Sequence, residues 1–242
     1  MALAESGAKA HRTVSRITTI LELAAARRTG VRLSELAAEL DAPRSSLHGL
    51  VKGLVATGYL REDGGAYTVG PAVNTLLAAA PSTVVEAARA AMEGLHRQFN
   101  ETVMLASLVG NSVVYTDALE STQPIRYSAP LSTRRPLHPT SSGKCFLAFG
   151  SARFRENYLA DLPQRDEIRR ELEGIAADGV ALNRGETLPD ITGVGAPVFD
   201  SGRVVAAIAL AGPTTRLTDI VTDVAEATRT AAHQATRNLT GR

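Results

Sequence analysis

Cysteine is almost absent from this 242-residue chain, in which Cys145 stands alone. A single thiol excludes an intramolecular disulfide framework and any thiolate-cluster metal site. Long apolar runs are missing as well. No stretch of 18 apolar residues occurs, so no membrane-spanning helix is expected. The opening residues, Met1 to Arg16, lack the apolar core of a secretory signal, and the expected compartment is the cytoplasm. An excess of charge of one sign is lacking too: 26 Lys+Arg oppose 25 Asp+Glu, a net +1. That balance speaks against nucleic-acid binding by bulk electrostatics alone. The five histidines (His11, His48, His96, His138 and His233) form no ligand pair at short spacing, so no metal and no cofactor is expected. No internal repeat or low-complexity tract stands out.

What is present is ordinary globular material, 44% hydrophobic and 21% charged, which excludes a disordered or collagen-like chain. The length suits one large domain or two smaller ones. From Thr13 onward, Val14, Ile17, Ile20, Leu21 and Ala24 repeat at helical spacing. Arg27-Arg28-Thr29-Gly30 then reads as a helix stop, with basic residues in the last turn and glycine after it. Leu33 to Leu40 predicts a second helix. Asp41-Ala42-Pro43 breaks it, and Pro43 suits the first position of a third helix running to Thr57. Tyr59-Leu60-Arg61 and Ala66-Tyr67-Thr68-Val69 read as two strands around Asp63-Gly64-Gly65, with an Asp-Gly turn. Three helices and a hairpin, with a short break between helices two and three, are the layout of a winged helix-turn-helix.

In such a motif the second helix of the pair enters the major groove. Its outward residues here are Arg44, Ser45, Ser46, His48, Gly49 and Lys52. Arg44 or Lys52 suits guanine or phosphate, while the serines suit phosphate oxygens. Ser34 on helix two, Arg61 in the wing, and Lys9, Arg12 and Arg16 at helix one are candidate backbone contacts. Charge is segregated to match: residues 1–71 carry nine basic and seven acidic side chains, net +2, and the remainder is net −1. A protein-interaction module with a solvated basic face accounts for the same pattern.

Beyond Gly70 the character changes. Residues 71–99 read as a broken helical connector: Asn74 to Ala80, a break at Pro81-Ser82, and a second helix opened by the capping box Thr83-Val84-Val85-Glu86. Strands are expected at Thr102 to Val109, Ser112 to Asp117 and Ile125 to Ala129, then helices at Ser141 to Phe149, Ala152 to Ala160 and Asp166 to Ala177. A late hairpin, Val194 to Phe199 and Val204 to Ala211, precedes a closing helix from Thr218 to Asn238. The reading is therefore α+β: a winged helix-turn-helix in 1–70, the connector in 71–99, and in 100–242 an antiparallel sheet flanked by helices.

Pro136-Leu137-His138-Pro139-Thr140-Ser141-Ser142-Gly143-Lys144-Cys145 is the densest cluster of small and polar residues. It opens a helix, so its first N–H groups lack helical partners and suit a carboxylate, with the Thr140, Ser141 and Ser142 hydroxyls as added donors. It is not a phosphate-binding loop, because His138 stands where the first glycine belongs and Cys145 replaces Ser/Thr. Cys145, flanked by Phe146 and Leu147, reads as packing, and no catalytic residue is assigned. The competing enzyme reading takes Cys145 and His138 as nucleophile and base, with the helical N-terminus as an oligomerisation domain.

The Pro136 to Ala148 phrase, together with Gly195-Ala196-Pro197-Val198-Phe199-Asp200, Val204 to Ile208 and Gly212-Pro213, resembles the IclR family of bacterial transcription regulators over roughly residues 12–240. The resemblance implies a homodimer or dimer of dimers on a palindromic double-stranded DNA operator. It also implies a GAF-like C-terminal domain that binds a small organic acid. Its effector contacts fall on Ser141, Ser142, Asn183, Gly193, Ala209 and Ala211. Where the family often has an acidic residue and two serines, this chain has Asn183, Ala209 and Ala211. That implies a less polar pocket and a larger, partly apolar acid, aromatic ones included, rather than a two- or three-carbon keto acid. Arg126 and Tyr127, just upstream, are further pocket candidates. Gly49 stands where the family often carries arginine.

Overall fold

The computed structural model describes residues 11–27, 29–78 and 83–241, which fall into two compact units, 1–81 and 82–242. Lys9, Arg28 and the break at Pro81-Ser82 lie outside the described residues.

The first unit holds α1 (Arg12–Ala26), β1 (Val31–Arg32), α2 (Leu33–Glu39), α3 (Arg44–Ala56), β2 (Leu60–Asp63), β3 (Ala66–Val69) and α4 (Pro71–Ala78). Ile20, Leu36, Leu47, Val51, Leu60 and Tyr67 form its core, each supplied by the apolar stripe of its own element. Gly30, at φ +80, turns the chain out of α1. Pro43 lies one residue before α3 rather than inside it, and its carbonyl accepts the Ser46 and Leu47 N–H groups. The wing turns on Gly64-Gly65 rather than Asp63-Gly64, because both glycines take positive φ (+55 and +76). A two-residue turn of that hand needs positive φ at both positions, which glycine adopts without strain. β1 was not foreseen; it pairs with β3 to make a three-stranded sheet, order β1-β3-β2.

The second unit runs α5 (Thr83–Phe99), β4 (Thr102–Val109), β5 (Ser112–Leu119), β6 (Arg134–Pro136), α6 (Ser141–Phe149), α7 (Ala152–Leu159) and α8 (Arg165–Asp178). Then follow β7 (Ala181–Arg184), β8 (Ile191–Asp200), β9 (Arg203–Pro213), α9 (Thr214–Leu217) and α10 (Val221–Thr240). All six strands form one antiparallel sheet, order β6-β5-β4-β9-β8-β7. Strand alternation sends Val103, Leu105, Val194, Ala196, Ile208 and Leu210 to the face covered by α5 and α10. Met104, Ala106, Tyr115, Ala207, Ala209 and Ala211 point to the opposite face, under α6, α7 and α8. The result is a three-layer α+β domain with the sheet in the middle.

Two expectations need correction. Ile125 to Ala129 is not a strand. Its carbonyls bond side chains instead of a ladder: Thr102 Oγ1 donates to Tyr127 O at 2.5 Å, and the Arg216 guanidinium to Ile125 O at 3.0 Å. The edge strand is β6, further on, where Arg135 pairs with Val113. The closing helix is also preceded by α9 and a 3-10 turn at Thr218–Ile220. Among the described residues no helix is long and apolar enough to cross a membrane.

Candidate functional site

In the first unit α3 presents a polar face to solvent. Leu47, Val51 and Leu54 are buried, which by helical periodicity turns Arg44, Ser45, Ser46, His48 and Lys52 to solvent. Arg12 and Ser34 are exposed near the starts of α1 and α2, Arg61 is exposed on β2, and Arg16 is half-buried. Arg44 and Ser45 hold the first two positions of α3, whose N–H groups lack a helical carbonyl and favour phosphate, whereas Ser46 N already donates to Pro43 O. Lys52 is not a free cation. Its Nζ donates to Glu62 in the wing at 2.7 Å, and the Tyr67 hydroxyl donates to the same carboxylate at 3.3 Å. The hydrogen bond and charge of Glu62 raise the Lys52 pKa, and those of Lys52 lower that of Glu62. A Cβ at Gly49 or Gly53 would meet nothing within 4 Å, so packing does not demand glycine at either position.

In the second unit the start of α6 sinks into the sheet. Thr140 caps it, accepting from Gly143 N at 3.2 Å and donating to Pro136 O at 2.9 Å. Its hydroxyl therefore stabilises the helix end and is already engaged. A side chain on Gly143 would overlap the Leu137 carbonyl, and one on Gly195 would press to 2.9 Å from the Ser141 backbone. Gly195 lets the helix end rest directly on β8, and Gly143 lets it close onto the Leu137 backbone. The N–H groups of Ser141 and Ser142, at the first helical positions, have no ladder carbonyl.

Beside this helix end lies a small, partly open cavity of about 40 Å³. Its floor is one sheet row in which Asn183, Gly193 and Ala211 lie side by side. Thr140 and Ser141 come from the helix end, Thr187 and Leu188 from the β7–β8 loop, and Tyr127 from the loop that Thr102 holds. Met104, Tyr115, Arg135 and Ile191 complete the wall. Of the expected effector contacts, the structure thus gathers Tyr127, Thr140, Ser141, Asn183, Gly193 and Ala211.

The other three fall elsewhere. Arg126 is not at the wall; it reaches Glu120 at 3.4 Å on the surface. Ala209 faces the cavity side of the sheet but lies one pleat deeper, buried between Met104 and Gly195. Ser142 is fully buried behind the wall, its Oγ without a hydrogen-bond partner. Asn183 is present but occupied, donating to Pro139 O and Thr187 Oγ1 at 2.6 Å each while accepting from Glu186 N.

Arg135 was missed. Arg134-Arg135 looks like a surface basic pair, yet strand alternation must point the two side chains to opposite faces. Arg134 is exposed and donates to Val109 O at 2.7 Å, whereas Arg135 turns inward over the Tyr115 ring, its guanidinium carbon 5.1 Å from the centroid. Parity along β6 would have revealed it, had β6 been recognised as a strand. Burial first, and then neighbouring Tyr127, push the Tyr115 phenol up to about 12, so it stays a neutral donor.

Behind α6, Lys144 is wholly buried, its Nζ at 2.6 Å from Glu171, 2.8 Å from Glu186 and 2.8 Å from Leu182 O. His138 joins Glu171 at 3.3 Å. The fold thus assembles a His138–Glu171–Glu186 group that sequence spacing hid, with ligand atoms within 4.8 Å of one another. The Lys144 ammonium already supplies to this group the positive charge that a metal would bring. Cys145 is buried in the core, its sulfur directed at Ser141 O, and burial pushes its thiol up to about 12. At neutral pH it is a thiol, unsuited to nucleophilic attack.

Comparison with known proteins agrees in both units. Residues 13–64 match the IclR helix-turn-helix domain, and residues 78–237 match the bacterial transcriptional regulator IclR C-terminal domain. The chain is 31% identical to the HTH-type transcriptional regulator BhcR of Paracoccus denitrificans, over 86% of this chain and 80% of the relative. It is 29% identical to the HTH-type transcriptional repressor AllR of Escherichia coli, over 77% and 74%. A crystal structure of an IclR homolog from Microbacterium hydrocarbonoxydans, complexed with 4-hydroxybenzoate, superposes with a TM-score of 0.77 at 25% identity, covering 94% of this chain and 98% of that one.

Proposed function

Since the chain belongs to the IclR family of bacterial transcriptional regulators, with a helix-turn-helix DNA-binding domain and a C-terminal ligand-binding domain, we propose how each part is used. The protein acts in the cytoplasm as a homodimer or dimer of dimers on a palindromic operator. Arg44, Ser45, Ser46 and His48 at the start of α3 face base edges and phosphates, Lys52 turns to phosphate on binding, and Arg12, Arg16, Ser34 and Arg61 follow the backbone. The effector is a small organic acid with an aromatic or otherwise apolar body. The carrying observation is the cavity itself: an apolar wall from Met104, Leu188, Ile191 and Ala211 beside a helix start and an inward arginine. The 4-hydroxybenzoate complex of the Microbacterium homolog supports the same class. Effector binding works by unequal affinity for the DNA-competent and incompetent states.

Operator binding by the full chain, measured with and without a panel of aromatic acids, tests this. Arg44→Ala is expected to weaken operator binding at least tenfold while leaving acid-induced thermal stabilisation intact. Wild-type operator affinity in that variant would refute the assignment of α3. Steady turnover of an organic acid, lost in Cys145→Ala, would instead establish the enzyme reading. Operator affinity that ignores salt would favour a protein-interaction module.

A further inference from the structure

The chemistry of the cavity is lopsided. Among its wall residues Arg135 is the sole formal charge, and no acidic side chain is present. Arg135 Nε is buried without a hydrogen-bond partner. Buried polar groups are normally paired, and an unpaired charged donor is the costliest exception. The carboxylates of Glu171 and Glu186 are held by Lys144 and are not bonded to Arg135. The guanidinium lies over the Tyr115 ring, its carbon 5.1 Å from the centroid, and both residues line the cavity. A guanidinium edge presents two parallel N–H groups matched to a carboxylate. Meanwhile the α6 end, where the resemblance would put the acid group, is seated on Gly195, and its capping hydroxyl and Asn183 are already bonded.

Resting on the reading of this cavity as the effector site, we infer that Arg135 is its carboxylate-recognising residue and that the effector is a monocarboxylate. The acid group lies at the β6 edge against Arg135, and the apolar body extends past Met104 toward Leu188 and Ile191. One unpaired cation answers one anion. A second carboxylate on the ligand would be desolvated with no cation opposite it, which selects against dicarboxylates.

The chain contains no tryptophan, so Leu188→Trp at the half-exposed mouth supplies a single fluorescent reporter. Benzoate, its neutral isostere benzamide, and the dicarboxylate phthalate are the probes, titrated into the full-length protein. Calorimetry on the unsubstituted chain serves as a check. Benzoate is expected to change the emission of the introduced indole saturably, with benzamide and phthalate each binding at least 30-fold more weakly. In the Arg135→Gln background benzoate should weaken at least 30-fold, to the level of benzamide, while benzamide itself changes less than threefold. Arg135→Lys should recover part of the loss. A merely structural role for Arg135 would weaken both probes alike.

If Arg135→Gln binds benzoate like wild type, or benzamide matches benzoate, the Arg135 assignment falls while the cavity reading stands. Phthalate binding as tightly as benzoate overturns the single-charge argument. Benzoate binding seen by calorimetry with no response from the indole at the mouth removes the cavity reading itself. Absence of benzoate binding by calorimetry overturns the aromatic monocarboxylate.

Discussion

Replacing Lys144 by methionine keeps most of the side-chain volume and removes the fully buried charge from an ion-pair cluster of the second unit. Four short contacts disappear: to Glu171 at 2.6 Å, to the two Glu186 oxygens at 2.8 and 2.9 Å, and to Leu182 O at 2.8 Å. Breaking a buried ion pair from one side costs about 3–5 kcal/mol, because the abandoned partners keep their charge. Here both carboxylates are 37% exposed and can rehydrate, which places the cost at the lower end, about 3 kcal/mol. With a urea dependence of about 2 kcal/mol per molar, the unfolding midpoint of this unit should fall by about 1.5 M. Adding Glu186→Gln to Lys144→Met should restore part of that loss, since one abandoned charge is then gone. The effect should reach the cavity too. Glu186 precedes Thr187 and Leu188 at the mouth, so the single variant should also bind effector more weakly. A loss below about 1 kcal/mol, or a double variant less stable than the single, would refute the argument.

Glu62→Gln releases Lys52 for phosphate, so operator binding should tighten several-fold at low salt, with a salt slope steeper by about 0.9. Unchanged affinity and slope would mean that Lys52 does not face the backbone. Gly49→Ala meets open space and should stabilise the first unit by about 1 kcal/mol in thermal unfolding; a loss of stability would contradict the exposed position of Gly49. The Tyr115 phenol, at about 12 in the folded chain against about 10 unfolded, keeps its proton longer when folded. Its contribution is therefore full below about pH 10 and lost as pH rises toward 12, on the order of 3 kcal/mol in all. Absorbance at 295 nm should show a phenolate component near pH 12 that vanishes in Tyr115→Phe.

Much of this molecule is legible from periodicity. β4 and α6 fall at the residues that alternation and the polar helix start indicate, because each buries its own stripe. The short strands β1, β6 and β7 carry too few residues for a period to show, and exist only through their ladder partners. Ile125 to Ala129 failed for the converse reason, since its strand-like residues bond side chains from β4 and α9.

By itself, then, the sequence determined the two-part plan, the outward residues of α3 and the polar start of α6. These follow from local period, capping and turn chemistry. Only the tertiary structure decided that Arg135 turns inward while Arg126 pairs at the surface, that Lys144 is buried between Glu171 and Glu186, and that Lys52 is held by Glu62. Each of those outcomes depends on which distant segment lies opposite, and on the charge that segment brings. Neither can be read within one element of the chain.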